Sequence, residues 1–122
     1  MNNDTQKILK DTQDLIRNAS RGARCLKYEQ VTVDDSPVVT LTPPTSAYSA
    51  VIIFEADATS ADTTKIVYLT EDGTAPTSSS GMPFGHLDTY EVTHIDNIKN
   101  FKVIGIEAGK THKLNIQYYS QP

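Results

Sequence analysis

The chain has 122 residues and a mass of 13.4 kDa, with 21% charged residues and a formal net charge of -4. This length fits a single domain, and the acidic balance argues against nucleic-acid binding. We expect no transmembrane helix, no secretory export and no internal disulfide, because the sequence has no long apolar run, no apolar N-terminal core and only one cysteine, Cys25.

The charge is distributed unevenly along the chain. Residues 1–28 carry six basic and three acidic side chains, whereas residues 29–122 carry five basic and twelve acidic ones. All nine aromatic residues and all six prolines lie at Tyr28 or beyond. The sequence therefore predicts two parts: a helical arm at 1–27, which serves attachment or oligomerisation, and a β-sandwich domain at 28–122.

The arm is predicted to form one amphipathic helix. Asp4 or Thr5 can cap its first turn, and residues 18–22 favour its end. Its apolar residues recur at heptad spacing on one stripe, at Ile8, Leu9, Leu15 and Ile16. A helix of about four turns is marginal in isolation, so it must pack on its own β-domain, on identical copies or on a foreign surface.

A row of three arginines continues the arm at spacings of four and three residues, at Arg17, Arg21 and Arg24. On a continuing helix these side chains would line one side, where they suit an acidic partner surface. The arginines and the apolar stripe together are the predicted interaction residues. Because heptad spacing favours bundling, we predict a homo-oligomer, specifically a trimer.

From residue 28 onward, short β-rich runs alternate with turn residues. Eight strands are predicted, at 28–33, 38–42, 49–55, 65–70, 89–93, 95–99, 101–106 and 113–119. Their spacing predicts a mainly β fold, an antiparallel sandwich or jelly roll of about eight strands. Residues 51–54 are apolar on both faces of their strand, so the outer face should lie under the N-terminal helix or a neighbouring subunit.

The sequence has no recognisable arrangement for catalysis or metal binding. The serines at 78–80 lie near His86 and Asp88 but outside any nucleophile-elbow motif. The chain has three histidines, His86, His94 and His112, and their spacing does not match that of zinc ligands. The loop acids do not form a calcium-loop motif: Asp34, Asp35, Asp57, Asp62 and Asp72. We therefore expect a non-enzyme without cofactor or metal.

A series of motifs runs through the second half of the domain. The strand 66–68 is followed by E-D-G-T-A-P-T at 71–77 and G-M-P at 81–83. Later strands alternate polar and apolar residues, at Tyr90, Val92, Ile98, Phe101, Val103, Ile104, Leu114, Ile116 and Tyr118. This run, over residues 65–119, resembles small β-modules of tailed-phage virions, above all auxiliary capsid (decoration) and head-fibre proteins such as those of crAss-like phages.

The resemblance implies a virion structural protein that folds in the host cytoplasm and assembles on the capsid. In similar proteins, an N-terminal segment anchors a β-sandwich on the capsid or forms a trimeric stalk. A single short helix favours a compact decoration protein or a short head fibre, with the major capsid protein as partner and no membrane contact.

The alternative is a tail-associated adaptor or a carbohydrate-binding sandwich, whose ligand would be a host surface glycan. Tyr48, Phe84 and Tyr119 are the predicted exposed aromatics for such a sugar site.

Overall fold

The computed structural model describes Lys7, residues 9–13 and residues 22–122. Lys7 and residues 9–13 are helical, in agreement with the helix predicted for this segment. The other residues of the predicted arm helix up to Arg21 lie outside the described residues.

The structure continues with eight strands and one short helix. Their bounds are β1 Cys25–Val33, β2 Val39–Thr40, β3 Ser49–Glu55, β4 Val67–Thr70, β5 Met82–Phe84, β6 Thr89–Thr93, α1 Ile95–Asn100, β7 Lys102–Gly105 and β8 His112–Tyr119. The first strand begins at Cys25, so residues 25–27 of the predicted arm belong to β1. The mainly β prediction is confirmed, and β3 and β6 have the predicted bounds.

The strands form two four-stranded antiparallel sheets. Sheet I has the order β1-β8-β3-β6, and sheet II has the order β2-β7-β4-β5. Within them, the first strand pairs with the last, the second with the seventh, the third with the sixth and the fourth with the fifth. Additional pairing of β3 with β8 and of β4 with β7 closes each sheet.

Alternation along the strands builds the core between the two sheets. In β3 the inward side chains Ala50, Ile52 and Phe54 are fully buried, and in β8 the same is true of Leu114 and Ile116. Sheet II and α1 contribute further buried side chains, at Val67, Leu69, Ile98, Phe101 and Val103. One continuous apolar core therefore holds the two sheets together.

The prediction of a strand at 95–99 is wrong, because these residues form the helix α1. Ile95 and Ile98 lie three residues apart, which places both on one helix face, and Ile98 is fully buried. His94 caps the helix, since its Nδ1 accepts a hydrogen bond from the Asp96 amide at 3.1 Å. Asp96 in the first turn and Lys99 in the last turn complement the helix dipole.

Strand β5 was not predicted from the sequence. It contains Pro83, which cannot donate a backbone hydrogen bond and is tolerated only at an edge. The structure places β5 at the edge of sheet II, where Pro83 lies opposite Tyr68 of β4. A three-residue edge strand with a proline has no clear alternation of polar and apolar residues, so its sequence predicts a loop.

A buried polar contact joins the first strand to the last. The Tyr118 hydroxyl, on a fully buried side chain, donates a hydrogen bond to Glu29 Oε1. Thr42 donates to the same carboxylate from its hydroxyl at 2.6 Å and its amide at 3.3 Å. Burial raises the pKa of Glu29, but these hydrogen bonds outweigh it, so the net pKa lies below the usual value.

We predict that Tyr118→Phe lowers the free energy of unfolding by about 1–2 kcal/mol at neutral pH, because it removes a buried charge-assisted hydrogen bond. Urea denaturation followed by circular dichroism measures this change. The difference should shrink as pH falls below the usual pKa of glutamate, since the bond stabilises the ionised Glu29 and that contribution is lost on protonation.

The matched control is Tyr28→Phe. The hydroxyl of Tyr28 also donates a side-chain hydrogen bond, to Asn115 Oδ1 at 2.9 Å, but its side chain is 56% exposed. We expect a change within about 0.5 kcal/mol for this variant. Equal losses in both variants would contradict a special contribution from the buried bond.

Candidate functional site: the outer face of sheet I and the loop ends

The outer face of sheet I, the face turned away from sheet II, is contacted by two described residues that precede β1, Thr12 and Ala23. Val51 of β3 and Tyr119 of β8 point to this face, yet they are only 4% and 3% exposed. Both pack with Ala23, which precedes β1. The prediction that this face is covered is therefore confirmed for Val51, and Ala23 is part of the cover.

The arm touches the same face at a second point. The hydroxyls of Thr12 and Thr89 are 3.0 Å apart, and Thr89 is the first residue of the edge strand β6. Of the three surfaces considered for the arm, these contacts involve its own β-domain. Thr12 and Ala23 thus mark two places where described arm residues meet sheet I.

The predicted interaction residues are placed only in part. Leu9 is helical and 47% exposed. Arg24 is exposed and pairs with the end of the chain, because its amide donates to Ser120 Oγ and its carbonyl accepts from the Ser120 amide, each at 2.9 Å. The other predicted interaction residues lie outside the described residues: Ile8, Leu15, Ile16, Arg17 and Arg21.

A small cavity of about 130 Å³ opens on the outer face of sheet I. Val51 and Ile53 of β3 line it with Asn115 and Gln117 of the adjacent strand β8 and with Tyr28 of β1, the strand beyond β8. Its surface is mainly apolar, in contrast to the charged surfaces at the ends of the sandwich. Apolar contact, rather than ion pairing, is the chemistry that this part of the face provides.

We name the loops 34–38, 56–66, 85–88 and 106–111 the aspartate-rich end, because they meet at one end of the sandwich and carry most of its aspartates. Asp57 connects two of these loops. Its carboxylate accepts from the Thr59 amide and hydroxyl at 2.9 and 2.7 Å and from the Thr111 amide at 3.0 Å. These hydrogen bonds hold the pKa of Asp57 well below its usual value, and the bond from the Thr111 amide has the largest effect.

The Asp57 turn is one of three with the same local pattern. In each, an aspartate Oδ1 accepts a hydrogen bond of 2.9 Å from the amide two residues later, a threonine. The pairs are Asp57 with Thr59, Asp62 with Thr64, and Asp72 with Thr74. Such Asx turns use the carboxylates within the chain, which explains these acids without a calcium ion.

The histidines of the aspartate-rich end accept backbone hydrogen bonds. The Ala56 amide donates to His86 Nδ1 at 2.9 Å, and the next amide, that of Asp57, donates to His112 Nδ1 at 3.0 Å. His112 is only 1% exposed, and burial lowers its pKa despite the nearby carboxylates of Asp57, Glu107 and Asp34.

The opposite end of the sandwich carries an open cleft of about 640 Å³ between the β4–β5 loop and α1. Its lining is polar apart from one methionine: Thr70, Glu71, Asp72, Met82, Asn97 and Asn100. Partial burial of Tyr90, together with the nearby Glu71 carboxylate, raises the pKa of Tyr90 to about 12.

The structure separates the residues that invite a serine-hydrolase interpretation. Residues 78–80 lie in the β4–β5 loop, whereas His86 and Asp88 lie in the turn after β5, at the other end of that strand. Asp88 Oδ2 accepts from the Gly85 amide at 2.6 Å and so closes its own turn. Within residues 7–13 and 22–122, as far as described, no group of three His, Cys, Asp or Glu side chains could hold a metal ion.

No protein-family model matches the sequence, and no curated protein matches it either. Among the residues that the structure describes, no helix combines the length and the apolar composition needed to cross a membrane. The function must therefore be inferred from the fold and from the surfaces described above.

We predict that Val51→Asp loosens the arm. A carboxylate at this 4% exposed position cannot stay buried against Ala23 and Tyr119 without a partner. Limited trypsin digestion should then cleave within residues 1–27 several-fold faster than in the wild type. Thr32→Asp, at an exposed position of β1 on the same face, is the control and should leave the rate unchanged. Equal rates for Val51→Asp and wild type, with both proteins folded, would contradict this interpretation of the face.

A second prediction compares two of the Asx turns. Asp57→Ala should lower the melting temperature more than Asp62→Ala, because Asp57 also binds the Thr111 amide of another loop. The pKa of Asp57 is depressed, so its contribution is present at neutral pH and lost as pH falls below about 4. Differential scanning calorimetry between neutral and acidic pH tests both statements, and equal effects of the two substitutions would contradict the bridging role.

Proposed function

We propose that this chain is a structural protein of a tailed-phage virion, an auxiliary capsid (decoration) or short head-fibre protein that attaches to the capsid through its N-terminal arm. Its partner is the major capsid protein, and its place is the virion, reached after folding in the host cytoplasm. In this role the chain needs no catalytic site and no cofactor.

The strand order is the observation that carries the proposal. Pairing of first with last, second with seventh, third with sixth and fourth with fifth describes one long hairpin rolled into two sheets. The resulting orders, β1-β8-β3-β6 and β2-β7-β4-β5, support a jelly-roll topology. Jelly rolls include viral capsid domains and lectins, so the choice between these two depends on the surfaces.

The motif that resembles phage modules forms an ordered tip between β4 and β5. Asp72 closes the turn onto the Thr74 amide at 2.9 Å, and the amide and carbonyl of Thr77 and Ser80 bond each other. Gly81 ends the loop at a φ of 145°, where a Cβ would lie 2.7 Å from that of Tyr68. Only glycine fits there. The motif therefore forms a loop with defined internal contacts, which supports the resemblance in local structure.

The arm has the properties of an attachment element. Its described basic side chains Lys7, Lys10 and Arg24 are exposed, whereas Thr12 and Ala23 contact sheet I. Cationic groups on the free side of the arm suit an acidic partner surface. The exposed Leu9 offers apolar area for a second copy, which supports self-association, and we propose the trimer as the oligomer.

The second candidate is a carbohydrate-binding module, favoured by the polar cleft between the β4–β5 loop and α1. Sugar sites usually add an exposed aromatic face. The expected exposure of Tyr119 is wrong, because Ala23 and Val51 cover it. Phe84 stacks on Phe54 with ring centroids 5.0 Å apart, so both rings belong to the core. Of the three predicted aromatics, Tyr48 is exposed, at 36%. With one of the three exposed, a host surface glycan has less support than a capsid, and a tail adaptor shares the attachment features.

The test replaces Arg17, Arg21 and Arg24 by serine in the full-length chain. We expect lower occupancy on purified capsids of the source phage, because the substitutions remove three arm charges. The matched control replaces three exposed lysines of the β-domain by serine, Lys65, Lys99 and Lys113, and so makes the same change in net charge. Quantitative mass spectrometry of washed particles measures occupancy in both.

Unchanged occupancy of the arginine variant, or equal loss in both variants, would contradict attachment through the arm. The copy number in the wild-type particle separates the remaining candidates. A decoration protein is present in tens to hundreds of copies, whereas a tail adaptor has the copy number of one ring. Binding on a glycan array without particle association would favour the carbohydrate-binding module.

A further inference from the structure

All three histidines of the chain accept a backbone hydrogen bond on Nδ1. The donors are the amides of Ala56 for His86, Asp96 for His94 and Asp57 for His112, at 2.9, 3.1 and 3.0 Å. A ring nitrogen accepts only while it is unprotonated. Protonation of Nδ1 therefore removes the acceptor from each of these contacts.

Two of these hydrogen bonds act on consecutive amides, directly after the end of β3. His86 reaches Ala56 from the turn 85–88, and His112 reaches Asp57 from the start of β8. The backbone of His86 also holds the same loop farther along, since its amide donates to the Thr63 carbonyl at 2.8 Å. The two imidazoles thus hold the first two residues of the loop 56–66. Other contacts hold the loop farther along, since the Asp57 carboxylate accepts from the Thr111 amide and Glu107 Oε2 accepts from the Ala61 amide at 3.1 Å.

The surroundings of His112 disfavour its charged form. The ring is 1% exposed, and Nε2 has no hydrogen-bond partner among the described residues. Carboxylates face it from three loops, Asp34, Asp57 and Glu107, and all three favour the cation. Burial outweighs them, so the net pKa is lowered.

We propose that the aspartate-rich end is an acid-sensitive release: protonation of the buried His112 breaks its hydrogen bond to the Asp57 amide and loosens the start of the loop 56–66 while the two sheets stay paired. The open loop lets His112 reach water and bind its proton more readily than the closed loop does. The open state therefore gains population as pH falls below the ordinary histidine value of about 6.5 and levels off below the folded-state pKa.

His94 is expected to behave differently. Its Nδ1 lies 3.7 Å from the Asp96 carboxylate, so a protonated ring gains an ion pair where it loses the cap. The helix α1 should therefore keep its protection as the loop 56–66 loses it. This contrast within one chain separates local release from general acid unfolding.

Hydrogen exchange on the intact full-length protein tests the proposal. Rates corrected for intrinsic exchange are measured from about pH 7.5 to about pH 5, the range in which histidine titrates. We expect the Asp57 amide, whose hydrogen bond to His112 is partly buried, to lose protection by about tenfold relative to the central β8 amides, the effect of one hydrogen bond lost.

The matched variant is His86→Asn with His112→Asn, because an asparagine Oδ1 can accept the same amide but does not titrate. We expect its loop protection to be independent of pH over this range, whatever its absolute level. His94→Asn is the control and should keep the wild-type pH dependence. Should the double variant not fold, the amide shifts of Ala56 and Asp57 in the wild-type protein should follow the titration of the histidine ring signals.

Three results would overturn the proposal. The first is constant protection of Ala56 and Asp57 in the wild type over the whole pH range. The second is an equal pH dependence in wild type and double variant. The third is a loss of protection spread evenly over all strands, which is global unfolding.

Discussion

The central strand β3 is apolar on both faces, and the rest of the structure depends on this constraint. Its inward side chains Ala50, Ile52 and Phe54 join the two sheets, while the outward Val51 would lie in water if sheet I were bare. Burying such a side chain contributes roughly 1.5–3 kcal/mol, a large share of the stability of a small domain. Ala23, just before β1, helps to cover it and so belongs to the fold.

This cover limits how the arm can serve attachment. A helix has room for an apolar stripe toward sheet I and for charged side chains on the opposite side. Thr12 faces the sheet through its bond to Thr89, while Lys7 and Lys10 are exposed. Binding a capsid through the exposed side requires no loss of the intrachain contact. Exchange of arms between copies would instead cost that contact in one chain and restore it in the next.

Much of the fold follows from local patterns in the sequence. The bounds of β3 and β6 are predicted from β-rich runs flanked by turn residues, and β8 from its alternation. The error at α1 arises because isoleucines also favour strands, although their spacing of three and the acid in the first turn are helix signals. The edge strand β5 has too few residues for any periodicity.

At the aspartate-rich end, too, some contacts can be predicted from the sequence and others cannot. The Asp-x-Thr turns can be read from the sequence, because each hydrogen bond spans two residues. The histidine contacts cannot, because they join residues 30 and 55 positions apart, and only the packed sandwich brings them together. Spacing rules for zinc or catalysis therefore say nothing about His86 and His112, whose role is to accept backbone hydrogen bonds.

The arm and the aspartate-rich end meet at the beginning of β6. Thr89, which bonds Thr12, is three residues beyond His86 and follows Asp88, whose carboxylate closes the turn onto Gly85. A Cβ at Gly85 would lie 2.3 Å from the Thr64 carbonyl oxygen, so this turn is pressed directly against the loop 56–66. The loop 56–66 and the arm contact thus lie on either side of one segment, residues 85–89, which packs against both.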